Sequence, residues 1–482
     1  MSTQLERFRK DLYDWLPHRA DALMDLVDAL TSNTTARSVV ELSLSPEFRR
    51  QYPSVHDGIE NLFVPTSQKC SSKERQALEL DLVRRLVVPY VAIPQQPFWL
   101  MGTDVTSAPR PFARTLPDRT FVYQPNMLND SKPVTIGHQY SILALLPEKA
   151  PADPPWIVPL LVNRVTSTQT KRAAGLDQIN RLLDDQKLPF HKDLCVSVVD
   201  SDYSAVAYLG GVARHENLVT IARLASNRNL YQSPPVHSPD TAQGKGHPFW
   251  YGAPMKLKDL TTWDTPDDAA KTTFTTRKGR IYSVYLDGWH SMLMRGKLAI
   301  PMHQHPFTLV RGQVLDEQGQ MVFGHCLWLT VFGERCSELS LLQAWDSYRQ
   351  RYDLEHFFRF GKQRLLMDAY QTPETQHEEN WWTLVQLAYL QLWVAREQVC
   401  KLPRPWERYL PAWNTQAQKS APPSAVQRDM ERILRHFGTP ARNPKRRGKS
   451  SGRIAGQRPG MRTRLPVIKK AAAKLPQRQR AP

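Results

Sequence analysis

The sequence predicts a mixed α/β fold with a partly parallel sheet, and three observations carry that expectation. Up to about residue 90, apolar side chains recur at helical spacing, as in LERFRKDLYDWL and HRADALMDLVDAL. From Phe98 onward, short apolar and β-branched runs take over. Two of these runs end in an aspartate, Asp104 and Asp200, with an amphipathic helical pattern between them. A chain of 482 residues has room for two to four domains, or for one domain with a large insertion.

Residues 1–92 read as a helical domain. Ser71 and Glu74 fit a capping box ahead of an apolar-periodic run that ends near Val88. SVVELSLSPEFRRQYPSVHDGIENLF supplies two short helices and a turn, with Pro46 placed like a first helical residue. Helix-turn-helix reading of DNA and a packed helical cap both fit this stretch.

The strands begin at FWLMGTD, which ends in Asp104; DRTFVYQ, TIGHQYSILALL and WIVPLLVNRV follow. AAGLDQINRLLDDQ is an amphipathic helix, and LCVSVVD after it is a buried strand closed by Asp200 and the turn-like SDYS. A strand ending in Asp, antiparallel strands, a helix and a buried strand ending in Asp is the element order of a ribonuclease H-like core. Ligand sites of α/β sheets lie at strand ends, so the two acids converge if their strands are neighbours. An Asp after an apolar run is also a common turn former or cap. Asp202 competes with Asp200, but Asp200 directly terminates the run and Asp202 belongs to the turn.

The core is assigned to residues 93–230 and 339–410, interrupted by a β-rich insertion at 231–338. RIYSVYLDGW, GKLAIPMHQ, FTLVRGQVLD and MVFGHCLWLTVFG supply strand-like runs there. His290, His303, His305 and His325 lack the spacing of a helical metal site and read as structural. Trp381 begins a stretch to Ala395 that is too short to span a membrane and contains Thr383, Gln386 and Gln391, so it reads as a buried helix. A helical segment at 411–440 follows.

The densest signal is AWDSYRQRYDLEHFFRFGKQRLL, where Tyr348, Arg351, Glu355 and Lys362 lie at offsets 0, 3, 7 and 14. At about 100° per residue, one helix would hold all four within roughly 60° of each other. A carboxylate flanked by guanidinium, ammonium and phenol suits a site where Glu355 holds a divalent cation and its neighbours grip phosphate oxygens. Arg351 and Glu355 are also an i,i+4 pair of the kind found on solvated helix faces.

The formal charge is +18, but residues 441–482 hold 14 Lys or Arg and no acid, which leaves +4 for the rest. This Pro- and Gly-rich tail is expected to be disordered and to bind polyanions without sequence preference. The five cysteines show no CxxC spacing, so neither a disulfide framework nor a zinc site is implied, and a reducing cytoplasm fits. The charged MSTQLERFRKDLYDWL lacks a secretory h-region.

With these residues in view, the chain resembles the DDE transposases of bacterial insertion sequences, in the group whose third acid lies in a Y-x2-R-x3-E-x6-K motif. The resemblance runs from about Ser38 to Trp382 and rests also on GTDVTSAPRP, KPVTIGHQYSILALL, VVDSDYS and ARLASNRNLY. It implies an RNase H-like core of the retroviral integrase superfamily, with Asp104, Asp200 and Glu355 as catalytic residues binding two Mg²⁺ ions, Mn²⁺ substituting. Such a site hydrolyses a DNA phosphodiester to a free 3′-OH and reuses that hydroxyl for strand transfer. Arg351 and Lys362 would position phosphate, and Tyr348 would hydrogen-bond near the scissile group. Arg110 and Arg119 would touch backbone phosphates or form surface ion pairs. Relatives that make hairpin ends trap a flipped base on an aromatic of the insertion; Trp250, Trp263 and Trp289 are candidates, Trp289 foremost, with core packing as the other reading. The resemblance further implies a homodimer on paired DNA ends, no nucleotide cofactor, no membrane, and a cytoplasmic, nucleoid-associated protein. A domesticated relative that binds DNA without cutting is the alternative.

Overall fold

The computed structural model describes residues 3–65, 68–124, 133–150, 153–234, 250–276, 279–402, 406, 409, 420–445, 456 and 460–470. The N-terminal helices are α1 (Gln4–Trp15), α2 (Ala20–Thr31), α3 (Pro53–Glu60) and α4 (Ser72–Leu82). Capping boxes start α1 at Thr3 and Glu6 and α4 at Ser71 and Glu74, where each side chain bonds the other residue's backbone N–H. The helix at Ser72 therefore starts where the sequence places it. Its continuation to Val87 is a π-helical turn.

The first strands are β1 (Trp99–Pro109), β2 (Thr120–Tyr123), β3 (Val134–Leu145) and β4 (Val158–Val165). Then come α5 (Lys171–Asp184), β5 (Cys195–Val199), α6 (Val206–Val212) and β6 (Leu218–Leu224). β3 pairs antiparallel with β1 on one side and with β2 and β4 on the other, while β5 pairs parallel with β1 and β6 parallel with β5. The order β4-β3-β1-β5-β6 is compatible with a ribonuclease H-like core. Each parallel step is bridged by a helix, since a parallel pair needs a long crossover.

β7 (Asn229–Tyr231) and β8 (Pro254–Lys256) form a small separate ladder. β9 (Asp268–Thr275), β10 (Ile281–Met292), β11 (Phe307–Leu315) and β12 (Leu327–Phe332) are joined antiparallel in sequence order. β12 also pairs with β6, so these strands prolong the core sheet instead of forming a sheet of their own. Among the described residues the result is one ten-stranded sheet. The strand-like runs expected between 231 and 338 include β10, β11 and β12, but the sequence does not show that β12 closes the open edge of β6.

α7 (Leu341–Gln350), α8 (Tyr352–Arg364), α9 (Thr375–Ala395), α10 (Gln398–Lys401) and α11 (Pro423–Phe437) complete the fold. α9 is buried on every face from Asn380 to Ala395, as the stretch from Trp381 suggests, and it packs against α1, α2, α3, α11 and β4. Among the described residues, no helix is long and apolar enough to cross a membrane. The first helices thus form a packed cap, in which α2 buries nearly its whole circumference. Arg9 locks the cap in place. Its guanidinium meets both carboxylate oxygens of Asp28 at 2.5 and 2.8 Å, Gln391 Oε1 at 3.1 Å and the Gly438 carbonyl at 2.9 Å.

Most of the basic tail lies outside the described residues, but 460–470 do not hang free as composition implies. The Leu465 and Ile468 N–H groups donate to the carbonyls of Arg114 and Arg119, both at 2.9 Å. Backbone pairing of this kind needs no apolar side chains, which is why a low apolar content does not reveal it.

Arg9→Ala would leave Asp28 charged and buried; it is expected to lower stability by about 3–5 kcal/mol, read from the denaturant midpoint.

Candidate active site

The β1–β5 register sets the site. Trp99 lies opposite Cys195 and Thr103 opposite Val199. One residue further on, Asp104 and Asp200 stand level on neighbouring strands. On the next strand Val199 faces Ala222, so Arg223 is level with both acids.

α8 crosses this part of β1 closely. A Cβ on Gly102 would come within 2.9 Å of Leu354 Cδ1, so a glycine is needed there for the approach. Asp104, two residues along, shares the face of Gly102. Leu354 precedes Glu355, and its packing on β1 brings the third acid to the same place.

Arg351 joins the parts. Its Nη1 lies 3.2 Å from Asp104 Oδ2, its Nη2 lies 3.5 Å from Glu355 Oε1, and its guanidinium carbon is 5.7 Å from the centre of the Tyr348 ring. The four motif residues do not occupy one straight helix: α7 ends at Gln350 and α8 starts at Tyr352. At the joint, Leu354 N–H donates to the Arg351 carbonyl, a tightened i,i+3 turn. Arg351 keeps right-handed helical angles, so the two helices meet end to end and Tyr348 sinks against the sheet with Arg351 above it. Lys362 reaches β1 three residues beyond Asp104, donating to the Ser107 carbonyl at 2.7 Å.

Asp200 does two things. One oxygen accepts the Asp202 N–H at 2.8 Å, the cap role that an Asp after a strand commonly takes. The other lies 3.8 Å from Lys171 Nζ, which also pairs with Asp202. Lys171 and Arg223 were not picked out from the sequence. The available signal for Arg223 was one charge in the apolar strand LVTIARL; Lys171 had only its place at the start of a helix.

The carboxylates feel one another. Burial pushes the Asp104 carboxyl up to about 6, repulsion from Asp200 and Glu355 adds to this, and the Val105 N–H and Arg351 oppose it. Burial also raises the Tyr348 phenol and lowers the Lys362 ammonium. Burial works against charge on Arg351, but Tyr348, Asp104 and Glu355 together outweigh it and raise its pKa.

A family model described as DDE superfamily endonuclease matches residues 11–285, more than half of the chain. The chain belongs to the DDE superfamily endonucleases. No curated protein matches it. The match covers β1 with Asp104, β5 and Asp200, and it ends within β10, before Glu355. The family consists of nuclease-type enzymes that act on DNA and generally use divalent metals.

For a DDE endonuclease, the fit of the residues to a metal follows from their chemistry. Among the described residues, no group of three or more His, Cys, Asp and Glu side chains is gathered closely enough to hold an ion as it stands. Between Asp104 and Glu355 lies the Arg351 guanidinium, a positive charge where the acids need one. Carboxylate oxygens are the donors that hard divalent cations take, and positive charge near Asp104 would favour its ionised form, which burial and then the neighbouring acids disfavour. The donor chemistry of Asp104, Asp200 and Glu355 fits such an ion, although the three are not gathered around one position.

Three expected DNA contacts are corrected. Arg110 is fully enclosed: it pairs with Glu378 Oε1 at 2.8 Å and donates to the Asp368 carbonyl at 2.7 Å. Glu378 also meets His138 Nδ1 at 2.5 Å, while His138 Nε2 faces the Pro117 carbonyl at 3.0 Å. Burial opposes ionisation of Glu378, but His138 and Arg110 hold its carboxyl below the ordinary range. Arg119 is buried as well, bonded to the carbonyls of Leu116, Arg110 and Leu465. Both side chains are thus buried with internal partners rather than on the surface, where ion pairs or phosphate contacts would need them. Trp289 is 4% exposed, donates to the Asp264 carbonyl at 2.9 Å and packs with Trp263 and Trp328. Trp250 is instead partly exposed and stacks on His303 at 4.6 Å.

Because the folded Asp104 titrates above its unfolded value of 3.8, its charge destabilises the fold above about pH 6 and not below about pH 4. Asp104→Asn in metal-free buffer is therefore expected to raise stability at pH 7 by about 2 kcal/mol. That gain should vanish by about pH 4, as followed by thermal unfolding at both values. Arg110→Ala should lower stability by about 3–5 kcal/mol in denaturant titration, since it strands Glu378.

Proposed function

We propose that this DDE endonuclease is the transposase of an insertion sequence, which binds terminal inverted repeats, cuts DNA at the element's ends and joins those ends to a target. The observation that carries the reading is the convergence on β1: Asp104 level with Asp200, and Arg351 of the Y-x2-R-x3-E-x6-K motif touching both Asp104 and Glu355. A helix face that merely faced water would not send its arginine to a buried strand acid.

Two Mg²⁺ ions held by Asp104, Asp200 and Glu355, with Mn²⁺ as substitute, would supply Lewis-acid stabilisation of charge on the scissile phosphate. The protein's own residues do the rest. Glu355 stands partly open to solvent at the end of the converging set, where DNA has access. Arg351 offers its five-donor fork to phosphate oxygens once it is relieved of its carboxylates. The Tyr348 phenol, kept protonated by burial, donates to the same group. Lys362, fixed on Ser107, holds a positive charge along the exit of β1 and positions the strand. Strand transfer exchanges one phosphodiester for another, so no nucleotide cofactor is required. Paired ends and a homodimer follow from the need to handle both termini of the element together.

The test is excision of a marker flanked by the gene's native surrounding DNA, with Mg²⁺ or Mn²⁺. Glu355→Ala should reduce excision by about 10³-fold or more, equivalent to ~4 kcal/mol of transition-state stabilisation, with its circular dichroism unchanged. Salt-sensitive DNA binding without excision by the unaltered protein would overturn the reading and identify a binder that no longer cuts.

A further inference from the structure

The carbonyls that receive the tail belong to the loop that leaves β1, the strand carrying Asp104. Asp104 and the strand's end at Pro109 are five residues apart, on the order of 16 Å at about 3.3 Å per residue. The segment is tied at several points. Besides the two backbone bonds, Arg119 donates to the Leu465 carbonyl at 3.2 Å, Arg462 pairs with Glu374 at 2.6 Å, and Lys470 donates to the Gln169 carbonyl at 2.9 Å. Gln169 follows β4, which runs parallel to β1, so all these anchors lie at the end of the sheet toward which β1 runs from Asp104.

The anchors are mostly backbone, which leaves side chains available. Residues 460–470 contain Arg462, Arg464, Lys469 and Lys470 and no acid. Arg464, Lys469 and the nearby Arg114 are exposed and pair with no acid among the described residues. Exposed cations on the docked segment and on the loop that holds it attract a polyanion. Toward the active site, Lys362 on Ser107 and Arg351 on Asp104 continue this line of positive charge along β1.

We propose that residues 460–470 form a basic strap that grips the phosphate backbone of bound DNA beside the active site, at a position fixed by its docking on the 114–119 loop. This rests on DNA being the substrate. It differs from a loose polycationic tail in one respect: a strap contacts defined phosphates. At about 3.4 Å per nucleotide of one strand, those phosphates lie on the order of five nucleotides from the scissile one.

The experiment uses full-length protein in a Glu355→Gln background, so that binding is read without cutting, and a fluorescein-labelled duplex of the element's end. R464E/K469E is expected to weaken binding about tenfold or more near 0.1 M salt and to flatten the salt dependence by about two phosphates' worth. It should also erase a compact hydroxyl-radical footprint next to the cleavage position. Leu465→Pro/Ile468→Pro removes the two anchoring N–H donors and keeps every charge; it should leave the salt slope but spread the footprint. Unchanged affinity and footprint in R464E/K469E, or a compact footprint in the double-proline variant, would overturn the proposal. Failure of excision by the unaltered protein would leave these readouts intact, so the two readings fail separately.

Discussion

The parallel pairing of β1 with β5 is the constraint on which the rest of the molecule depends. Successive residues of a strand point to opposite faces, so a slip of one residue between these strands would carry Asp104 away from Asp200 and turn one of them to the far side. The pairing cannot form locally. The two strands are separated in the chain by β2, β3, β4 and α5, and the Gly102 notch on β1 admits α8. The site is therefore assembled by the sheet and only completed by the helix.

Three arginines show how burial decides what a guanidinium does. Arg9 is enclosed with Asp28, Gln391 and the Gly438 carbonyl, and Arg110 is enclosed with Glu378 and the Asp368 carbonyl, so each acts as a fixed crosslink. Arg351 is also largely buried, but it meets its two acids at 3.2 and 3.5 Å with one partner oxygen each, and Glu355 opens to solvent. It is held between two carboxylates without being locked to either. An ion pair that fills all its directions gives up recognition for rigidity.

Much of this was legible in the sequence where local chemistry decides the outcome. The capping box at Ser71, the apolar run ending in Asp200 and the buried stretch from Trp381 each follow from neighbouring residues, and the structure has them. The level placement of Asp104 with Asp200 was a conditional reading, resolved only by which strands pair. What stayed hidden depends on partners distant in sequence. Arg110 looks like a surface cation beside Asp104 because Glu378 and His138, which enclose it, lie elsewhere in the chain. The joint at Arg351 is invisible because no Gly or Pro marks it and Arg351 keeps right-handed helical angles. The strap at 460–470 is unreadable because its anchors are peptide groups, which every residue carries.

The complete burial of α9 has a consequence for how the protein comes into being. Its neighbours come from α1–α3 at the start of the chain, β4 in the middle and α11 near residue 437. During synthesis the helical cap emerges before α9, with the apolar faces of α1 and α2 lacking the helix they pack against. Those faces wait for some 370 further residues to be translated, at about 5–20 residues per second roughly 20–75 s of exposure. A nascent chain in that interval presents uncovered apolar surface, and α11 supplies a later piece of the covering.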